Sequence, residues 1–218
     1  MNPADISTAG TRERLLSAAA ETFAENGYRG ATVREICRRA RANVAAVNYH
    51  FRDKAGLYEE VVREAERRAT DKFPLHPAEQ PANPEERLRL FVRQFLSRIF
   101  DPGVRSQHGR LMLREMVEPS AALDRLVQEA FRPQCILLQD TVRGLLGPTA
   151  SDDQVRFGAM SIVGQCVFYH QCRPVLERMF PDLVFGPELI DRLSEHVVTL
   201  SLAGLRGVRE ANARRKAS

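Results

Sequence analysis

The stretch from Thr32 to Phe51, TVREICRRARANVAAVNYHF, limits the possible folds more than any other part of the chain. Its opening residue Thr32, followed by Glu35, matches the T-x-x-E pattern of a capping box, which starts a helix. Asn43 is a favourable N-cap for a further helix of about two turns over residues 44–49. The stretch therefore predicts two short helices that meet at a tight turn.

The second of these helices has an unusual outer face. Its spacing turns Val47 and Phe51 toward a core, and the residues that point outward are Val44, Ala45, Asn48 and Tyr49. Small apolar side chains can approach thymine methyl groups closely, and an asparagine can make paired hydrogen bonds to a base edge. This face is typical of a helix that enters the major groove of DNA.

Further helices are predicted on both sides of this pair. From Thr11 the apolar residues repeat at helical spacing until Asn26-Gly27, a left-handed stop, and residues 1–10 are expected to form a loose arm. Asp53 caps a fourth helix, which continues to about Lys72. Five side chains near the helix pair are placed to meet backbone phosphates: Arg12, Arg14, Tyr49, His50 and Lys54.

The stretch from Thr11 to Leu57 resembles the DNA-binding domain of the TetR family of bacterial regulators. The matching motifs are F-x-x-x-G-Y at 23–28, T-V-R-E-I at 32–36 and Y-H-F-x-x-K at 49–54. Together these motifs are specific, although none is specific alone. The candidate DNA-binding residues are Arg12, Arg14, Thr32, Val33, Arg34, Arg41, Asn43, Val44, Ala45, Asn48, Tyr49, His50 and Lys54.

The turn departs from the family pattern. Where the family usually has A-G-V-S, residues 40–43 read Ala-Arg-Ala-Asn. Asn43 keeps the capping chemistry, whereas Arg41 replaces the usual glycine with a cation. A contact with DNA and simple solvation are both open for Arg41.

The remainder of the chain predicts helices only. Prolines mark residues 74–84 as a linker, and helices are expected over 84–101, 108–118, 120–146 with a kink at Pro133, 152–173 and 187–210. We therefore expect an all-α protein with a helix-turn-helix DNA-binding domain at residues 1–56. A larger helical domain for effector binding and dimerisation is expected at residues 57–218.

Small residues recur on the last two long helices, and they allow helices to approach closely. The resemblance implies a homodimer formed by these helices, while burial inside the same domain is the alternative. The candidate interface residues are Gly158, Ser161, Gly164, Ser201, Gly204 and Gly207.

The second domain also carries aromatic, methionine and polar side chains that suit a pocket for a small, largely apolar molecule. Many of these residues would equally serve as plain core. The candidate effector residues are Phe91, Phe95, Met112, Arg114, Met116, Phe131, Gln134, Gln165, Phe168, Tyr169 and His170.

Catalytic, metal and redox roles have weaker support. Cys166 and His170 share a helix face, but Cys172 lies further round and no third ligand has matching spacing, so buried thiols are favoured over a metal site. Thiol sensing by Cys166 or Cys172 stays open. No catalytic motif occurs in the sequence, so neither an enzyme nor a bound cofactor is expected.

Charge is concentrated at the two ends of the chain. Residues 1–56 carry nine Lys/Arg against six Asp/Glu, and residues 206–218 carry five against one. A polyanion is a plausible partner for the first region, whereas a solvated, fraying tail is expected for the second. No apolar run reaches the roughly 18 residues of a membrane span and no leader pattern opens the chain, so we expect a cytoplasmic protein.

These observations predict a homodimeric transcriptional regulator, most simply a repressor, that binds double-stranded DNA at a pseudo-palindromic operator. A small-molecule effector would release the DNA. The alternative is a small-molecule or redox binding protein whose N-terminal head mediates protein contacts. Salt-sensitive, sequence-selective DNA binding would distinguish the two.

Overall fold

The computed structural model describes residues 3–75, 80–101 and 108–217. These ranges contain helices and no strand, so the all-α prediction is confirmed. No helix within them is both long and apolar enough to cross a membrane. The helices are α1 (Pro3–Gly30), α2 (Val33–Ala40), α3 (Val44–Phe51), α4 (Lys54–Lys72), α5 (Pro84–Phe100), α6 (His108–Val117), α7 (Ala121–Leu126), α8 (Arg132–Leu146), α9 (Asp152–Gln171), α10 (Arg173–Met179) and α11 (Pro187–Ala217).

Capping side chains set many of the helix starts. Ser151 and Gln154 form the full reciprocal capping box at the start of α9, as predicted. At α2 the Thr32 side chain caps the helix, but the Glu35 carboxylate accepts hydrogen bonds from two arginines of the same helix. The side chains that accept a hydrogen bond from a backbone N–H in a first helical turn include Thr32, Asn43, Asn83, Ser120 and Ser151.

Helix α1 differs from its predicted start. It begins at Pro3, so the loose arm expected for residues 1–10 is wrong for the described part of that segment. Proline suits a first helical position because the N–H that it lacks would have no helical partner there. Near the other end Gly27 has φ 70° and ψ 174°, which breaks the helix at the predicted stop. A Cβ at Gly27 would stand 2.6 Å from Nη1 of Arg114, the far end of a flexible side chain that can shift, so the positive φ is what favours glycine there.

The chain divides into two packed units. The first contains the described residues up to Asp71 and those of the segment 108–130, and the second contains the described residues of 72–101 and those from Phe131 onward. Packing therefore groups α4, α6 and α7 with the helix pair, whereas the sequence analysis placed its boundary after residue 56. The division into a DNA-binding domain at 1–56 and an effector-binding and dimerisation domain at 57–218 stays a prediction.

A buried polar cluster joins three helices of the first unit. The Tyr58 hydroxyl in α4 donates a hydrogen bond of 2.6 Å to Glu115 in α6. Glu115 is 1% exposed and also accepts from the backbone N–H and the hydroxyl of Ser120, at 3.2 and 3.1 Å. Burial and the Glu115 carboxylate raise the pKa of Tyr58, so its phenol keeps the proton that it donates. The three donors supply the hydrogen bonds that a buried carboxylate requires.

The second unit has an aliphatic core. Helices α5, α8, α9 and α11 supply it, because each carries apolar residues at helical spacing along one face. Its buried members include Leu88, Phe91, Val92, Leu96, Leu138, Val142, Leu146, Val155, Ile162, Val197 and Val198.

Three predicted helices differ in the structure. The helix expected from 120 to 146 is interrupted by a π-helical segment, Val127–Phe131, immediately before Pro133, whose ring cannot continue regular α-helical hydrogen bonding. The helix expected to reach residue 173 ends at Gln171, and α10 follows it. Helix α11 extends through Ala217, so the fraying tail expected for 206–218 is wrong within the described residues. The linker and turn residues 76–79 and 102–107 lie outside the described ranges.

Candidate DNA-binding surface

Helix α3 is positioned by its cap and by two buried side chains. Asn43 accepts a hydrogen bond of 3.1 Å from the Ala45 N–H, and Val47 and Phe51 are 0% and 5% exposed, as predicted. The other side of α3 is open, with Val44 46% and Tyr49 79% exposed. The inner face of α3 is therefore fixed in the core, and its outer face is open to a ligand.

The turn between α2 and α3 has a left-handed residue at Arg41. Its φ of 50° and ψ of 48° explain why a glycine is usual at this position in the resembling family. The Ala42 N–H donates to the Cys37 carbonyl at 3.0 Å, which closes the end of α2 in a Schellman-like pattern. Arg41 is exposed in the turn between α2 and α3.

Two predicted phosphate contacts on α1 already have partners within the protein. The Arg12 guanidinium donates to Glu60 of α4 at 2.6 Å and lies 5.5 Å from the centroid of the Phe51 ring. Arg14 donates to the Ala40 carbonyl at 3.2 Å. These contacts hold both cations near the helix pair, but a phosphate would have to share or displace them.

Lys54 is held at the start of α4. Its ammonium lies 4.7 Å from the centroid of the Tyr28 ring and 3.5 Å from the Arg29 carbonyl oxygen. Asp53 accepts a hydrogen bond of 2.8 Å from the Gly56 N–H, which confirms the predicted cap. The cation is thus located at the helix N-terminus, where free N–H groups also favour an anion.

An ion-pair network ties α2 to α1. Arg39 donates to Glu35 at 2.8 Å and to Glu25 at 2.9 Å, and Arg38 donates to Glu35 at 2.8 Å. Hydrogen bonds from Arg38 and Arg39 lower the pKa of Glu35 to about 2. This network links α2, the helix before α3, to Glu25 of α1.

The structure brings the predicted DNA-binding residues together in the first unit. Nine are exposed: Arg14, Thr32, Arg34, Arg41, Asn43, Val44, Ala45, Asn48 and Tyr49. Four are partly buried: Arg12, Val33, His50 and Lys54. Sequence reasoning missed Glu60, the partner of Arg12, because no local pattern links residues 48 positions apart.

The predicted effector residues do not form a single cluster. Met112, Arg114 and Met116 belong to the first unit, and Arg114 donates to the Glu25 carbonyl at 2.7 Å. In the second unit Phe91 stacks on Phe95 at 5.8 Å. The other predicted members there are Phe131, Gln134, Gln165, Phe168, Tyr169 and His170.

The second unit has an open groove of about 860 Å³, here named the α9–α11 groove. Tyr169 is the predicted effector residue that lines it. Leu176, Phe180 and Leu183 were missed because they come from α10 and the turn after it, where an apolar run between two long helices gave no clear period. Leu189 and Leu193, at the start of α11, were missed as well. The apolar lining consists of Tyr169, Leu176, Phe180, Leu183, Leu189 and Leu193, and the polar lining of Asp182, Asp191, Arg192, Glu195 and His196.

The predicted dimer-interface residues divide into two groups. Ser161, Gly164, Gly204 and Gly207 are exposed. A Cβ at Gly158 would lie 3.0 Å from Val142, and buried Ser201 accepts a hydrogen bond from Gln165 at 3.3 Å. The second group therefore packs inside the unit, which is the alternative that the sequence left open.

Two family models match the chain. The model described as bacterial regulatory proteins of the tetR family matches residues 15–61. The model of the C-terminal domain of the HTH-type transcriptional dual regulator CecR matches residues 84–205, more than half of the chain.

Curated relatives and solved structures agree with these matches. The HTH-type transcriptional regulator UidR of Escherichia coli strain K12 is 33% identical over 29% of this chain and 32% of its own length. The HTH-type transcriptional repressor AcnR of Corynebacterium diphtheriae is 31% identical over 55% of this chain and 65% of its own length. The chain thus spans between 26% and 65% of curated relatives such as these.

Two solved structures have the same fold. A TetR-like transcriptional regulator from Rhodococcus sp. RHA1 has a TM-score of 0.63 at 18% identity, over 90% of this chain and 96% of its own. AibR, solved in complex with isovaleryl coenzyme A and operator DNA, has a TM-score of 0.62 at 18% identity, over 87% of this chain and 97% of its own.

Proposed function

Because the chain belongs to the TetR family of bacterial regulatory proteins, we propose that it represses transcription by binding operator DNA through α2 and α3. The named relatives are transcriptional regulators, the class expected from the sequence in preference to an enzyme. One of them is named a repressor, which supports repression as the mode of action.

The observation that carries the proposal is the outer face of α3. Val44 and Ala45 are small enough to let the helix axis approach the base pairs, and exposed Asn48 can donate and accept at a base edge. Tyr49 and Lys54 lie beside this face and suit phosphate contacts. Residues on the outer face of α3 would thus read the base sequence, and the residues beside it would supply affinity for any DNA.

The DNA-binding region of a single copy is too small to bind DNA with useful affinity. The eight residues of α3 span about 12 Å, which is only a short part of a major groove. Two copies of the protein, reading half-sites about one turn of DNA apart, would recognise a pseudo-palindrome. The exposed positions Ser161, Gly164, Gly204 and Gly207 support a dimer formed by α9 and α11.

A small, largely apolar effector is proposed to release the DNA. It would do so by favouring a dimer in which the two heads no longer match the half-site spacing. The apolar lining of the α9–α11 groove, which includes Leu176 and Phe180, supports an apolar ligand. AibR, a structural neighbour, was solved in complex with isovaleryl coenzyme A and operator DNA.

The test is fluorescence anisotropy with labelled duplex DNA from upstream of the protein's own gene. Lys54→Ala should weaken binding to every duplex, whereas Asn48→Ala should change the ranking among duplexes with single base changes. Binding should weaken strongly between about 50 and 200 mM salt. If the protein binds no duplex more tightly than random DNA, or if both variants bind as the wild type does, the proposal is wrong.

A further inference from the structure

One wall of the α9–α11 groove is a stripe of side chains along the start of α11. Four lining residues of this helix are spaced at i, i+3, i+4 and i+7, and side chains at that spacing share one face. They are Leu189, Arg192, Leu193 and His196. The two leucines are buried, whereas Arg192 and His196 are exposed. The groove therefore has two nitrogen-bearing side chains next to an apolar floor.

The acidic groove residues of α11 lie on a different side of the helix. At 100° per residue, Asp191 and Glu195 are about 110–150° from the middle of the stripe. Asp191 lies 3.2 Å from Arg93 of α5, and Glu195 lies 2.5 Å from Arg89 of the same helix. Both carboxylates thus face α5 and have a cationic partner there.

Arg192 and His196 are available to a ligand. Within the described residues neither side chain makes a hydrogen bond or an ion pair. By contrast Arg173, the first residue of α10, is paired with Glu177. A carboxylate in the groove can therefore accept hydrogen bonds from Arg192 and His196 without displacing an internal partner. The bonds from the guanidinium are charge-assisted, which makes them stronger than neutral ones.

The second wall comes from α10 and the turn after it, and aromatic packing holds it in place. Phe185 in the turn stacks on buried Phe100 of α5 at 5.5 Å. The Arg173 guanidinium lies 4.8 Å from the centroid of the Phe185 ring, and the Leu183 N–H donates to the Phe180 carbonyl at 2.9 Å. A wall that is ordered before binding lowers the entropy cost of taking up a ligand.

This second wall is apolar and has room for a small molecule. Leu176, Phe180 and Leu183 line it, and Phe180 is 47% exposed. The volume of the groove, about 860 Å³, is within the range of small-molecule sites. Along α11 the lining from Leu189 to His196 extends about 10 Å. An apolar body of about that length would remove these side chains from water.

Asp182 limits the charge that the groove accepts. It lies in the turn after α10, and its carboxylate has no partner in the described part of the chain. Because it opposes the positive charge of Arg192, the groups without partners are together close to neutral. One negative head group is therefore accommodated, whereas a second negative charge on the ligand is repelled.

We propose that the α9–α11 groove binds an apolar monocarboxylate. Arg192 and His196 donate hydrogen bonds to its carboxylate, and its hydrocarbon part lies against Leu176, Phe180 and Leu183. This assignment gives the chemical class of the effector, and for the role of the ligand as effector it rests on the function proposed above.

Three probes with eight carbons test the head group by isothermal titration calorimetry on the full-length protein. Octanoate, octan-1-ol and octylammonium differ chiefly in charge, and each is used below the concentration at which it forms micelles. We expect octanoate to bind about tenfold more tightly than octan-1-ol, and octylammonium to bind no more tightly than octan-1-ol. Equal affinity for octanoate and octan-1-ol would overturn the proposal. Tightest binding of octylammonium would show that Asp182 selects a cation, and would also overturn it.

Charge variants place the carboxylate in the groove. Arg192→Gln should lower the affinity for octanoate about tenfold and leave that for octan-1-ol within about twofold. Arg206→Gln is the matched control, because Arg206 is an exposed arginine of α11 outside the groove lining, and it should change neither affinity. Asp182→Asn should raise the affinity for octanoate about twofold, since a repulsive charge is removed. Equal effects of Arg192→Gln and Arg206→Gln would contradict the proposed head-group contact.

A further variant places the hydrocarbon part. Phe180→Ser should weaken octanoate and octan-1-ol by a similar factor, because both lose the same apolar contact. Circular dichroism checks that each variant is folded. Unchanged binding of both probes would place the ligand outside the groove. Octanoate affinity that falls as rising protein concentration produces dimers would show that a second copy covers the groove. Either result would overturn the proposal.

DNA release separates this inference from the proposed function. In fluorescence anisotropy, octanoate should release labelled duplex DNA from the wild type but not, at the same concentration, from Arg192→Gln. Octanoate that binds as expected without releasing DNA would overturn its role as effector. A protein that binds octanoate as expected but binds no duplex would overturn the proposed function and leave the groove assignment standing.

Discussion

Arg12 of α1 donates a hydrogen bond of 2.6 Å to Glu60 of α4, and both side chains are partly exposed. The same guanidinium lies over the ring of Phe51, the last residue of α3. A cation expected to meet a DNA phosphate is thus held by a carboxylate of the helix that follows the head. Glu60 orients Arg12, but its charge also opposes an approaching phosphate.

Replacing Glu60 by Gln should therefore strengthen DNA binding. The amide oxygen can still accept from Arg12, while the negative charge near the phosphate is removed. We expect about a threefold gain in affinity at low salt, because exposed charge effects are small. Glu64→Gln on the same helix is the control, since Glu64 pairs with Arg67 and Arg68. Anisotropy titrations that give the same affinity for both variants would contradict the expectation.

Arg41→Gly should increase stability and decrease DNA affinity. A left-handed conformation costs an L-residue roughly 1–2 kcal/mol, and the greater freedom of an unfolded glycine cancels part of that gain. We expect a net stabilisation of about 0.5 kcal/mol in urea unfolding. Affinity should fall because an exposed cation in the turn before α3 is lost.

Arg41→Lys is the matched control, because it keeps both the charge and the left-handed strain. Its stability should equal that of the wild type. If Arg41→Gly binds DNA as tightly as Arg41→Lys does, simple solvation is the correct interpretation of Arg41.

The helix pair was predictable because its determinants are local. The caps at Thr32 and Asn43 and the inward spacing of Val47 and Phe51 all act within one turn of the residues that they position. The packing of α4 with α6 was not predictable, because the Tyr58–Glu115 hydrogen bond joins residues 57 positions apart.

The end of α11 was also not predictable from local sequence. A charged, polar end gave no reason to extend α11 past residue 210. Within this extension Asn212 exchanges two hydrogen bonds with Gln154, which lies 58 positions away. The predicted effector residues do not lie in one cluster for a related reason. Helical spacing identifies the apolar face of each helix but does not show which faces pack against each other.

Tyr58→Phe should destabilise the first unit by about 1–3 kcal/mol, because it leaves the buried Glu115 carboxylate without one of its donors. The change removes a single oxygen and keeps the aromatic packing on Phe23. Tyr28→Phe is the control, as its ring also contacts Tyr58. Urea unfolding followed by circular dichroism gives the free energy of unfolding, and equal values for the two variants would contradict the role given to the hydroxyl.

The cysteines should differ sharply in reactivity. Burial raises the pKa of Cys166 to about 12, so almost none of it is thiolate at neutral pH, whereas Cys135 is exposed. Iodoacetamide applied to the native protein should modify Cys135 and leave Cys166 intact until urea is added, as followed by mass spectrometry of peptides. Rapid modification of Cys166 in the native protein would instead support a role for Cys166 as a thiol sensor.

The pairing of Glu35 with Arg38 and Arg39 should make the attachment of α2 sensitive to acid. Because the folded pKa of Glu35 is lowered from 4.5 to about 2, its contribution is present above pH 4.5 and is lost as the pH falls toward 2. Glu35→Gln should therefore have a lower melting temperature than the wild type at pH 7, and the difference should shrink between those two pH values. Glu21→Gln, at an exposed position of α1, is the control. A difference in melting temperature that stays constant across this range would show that the Glu35 carboxylate charge does not stabilise α2.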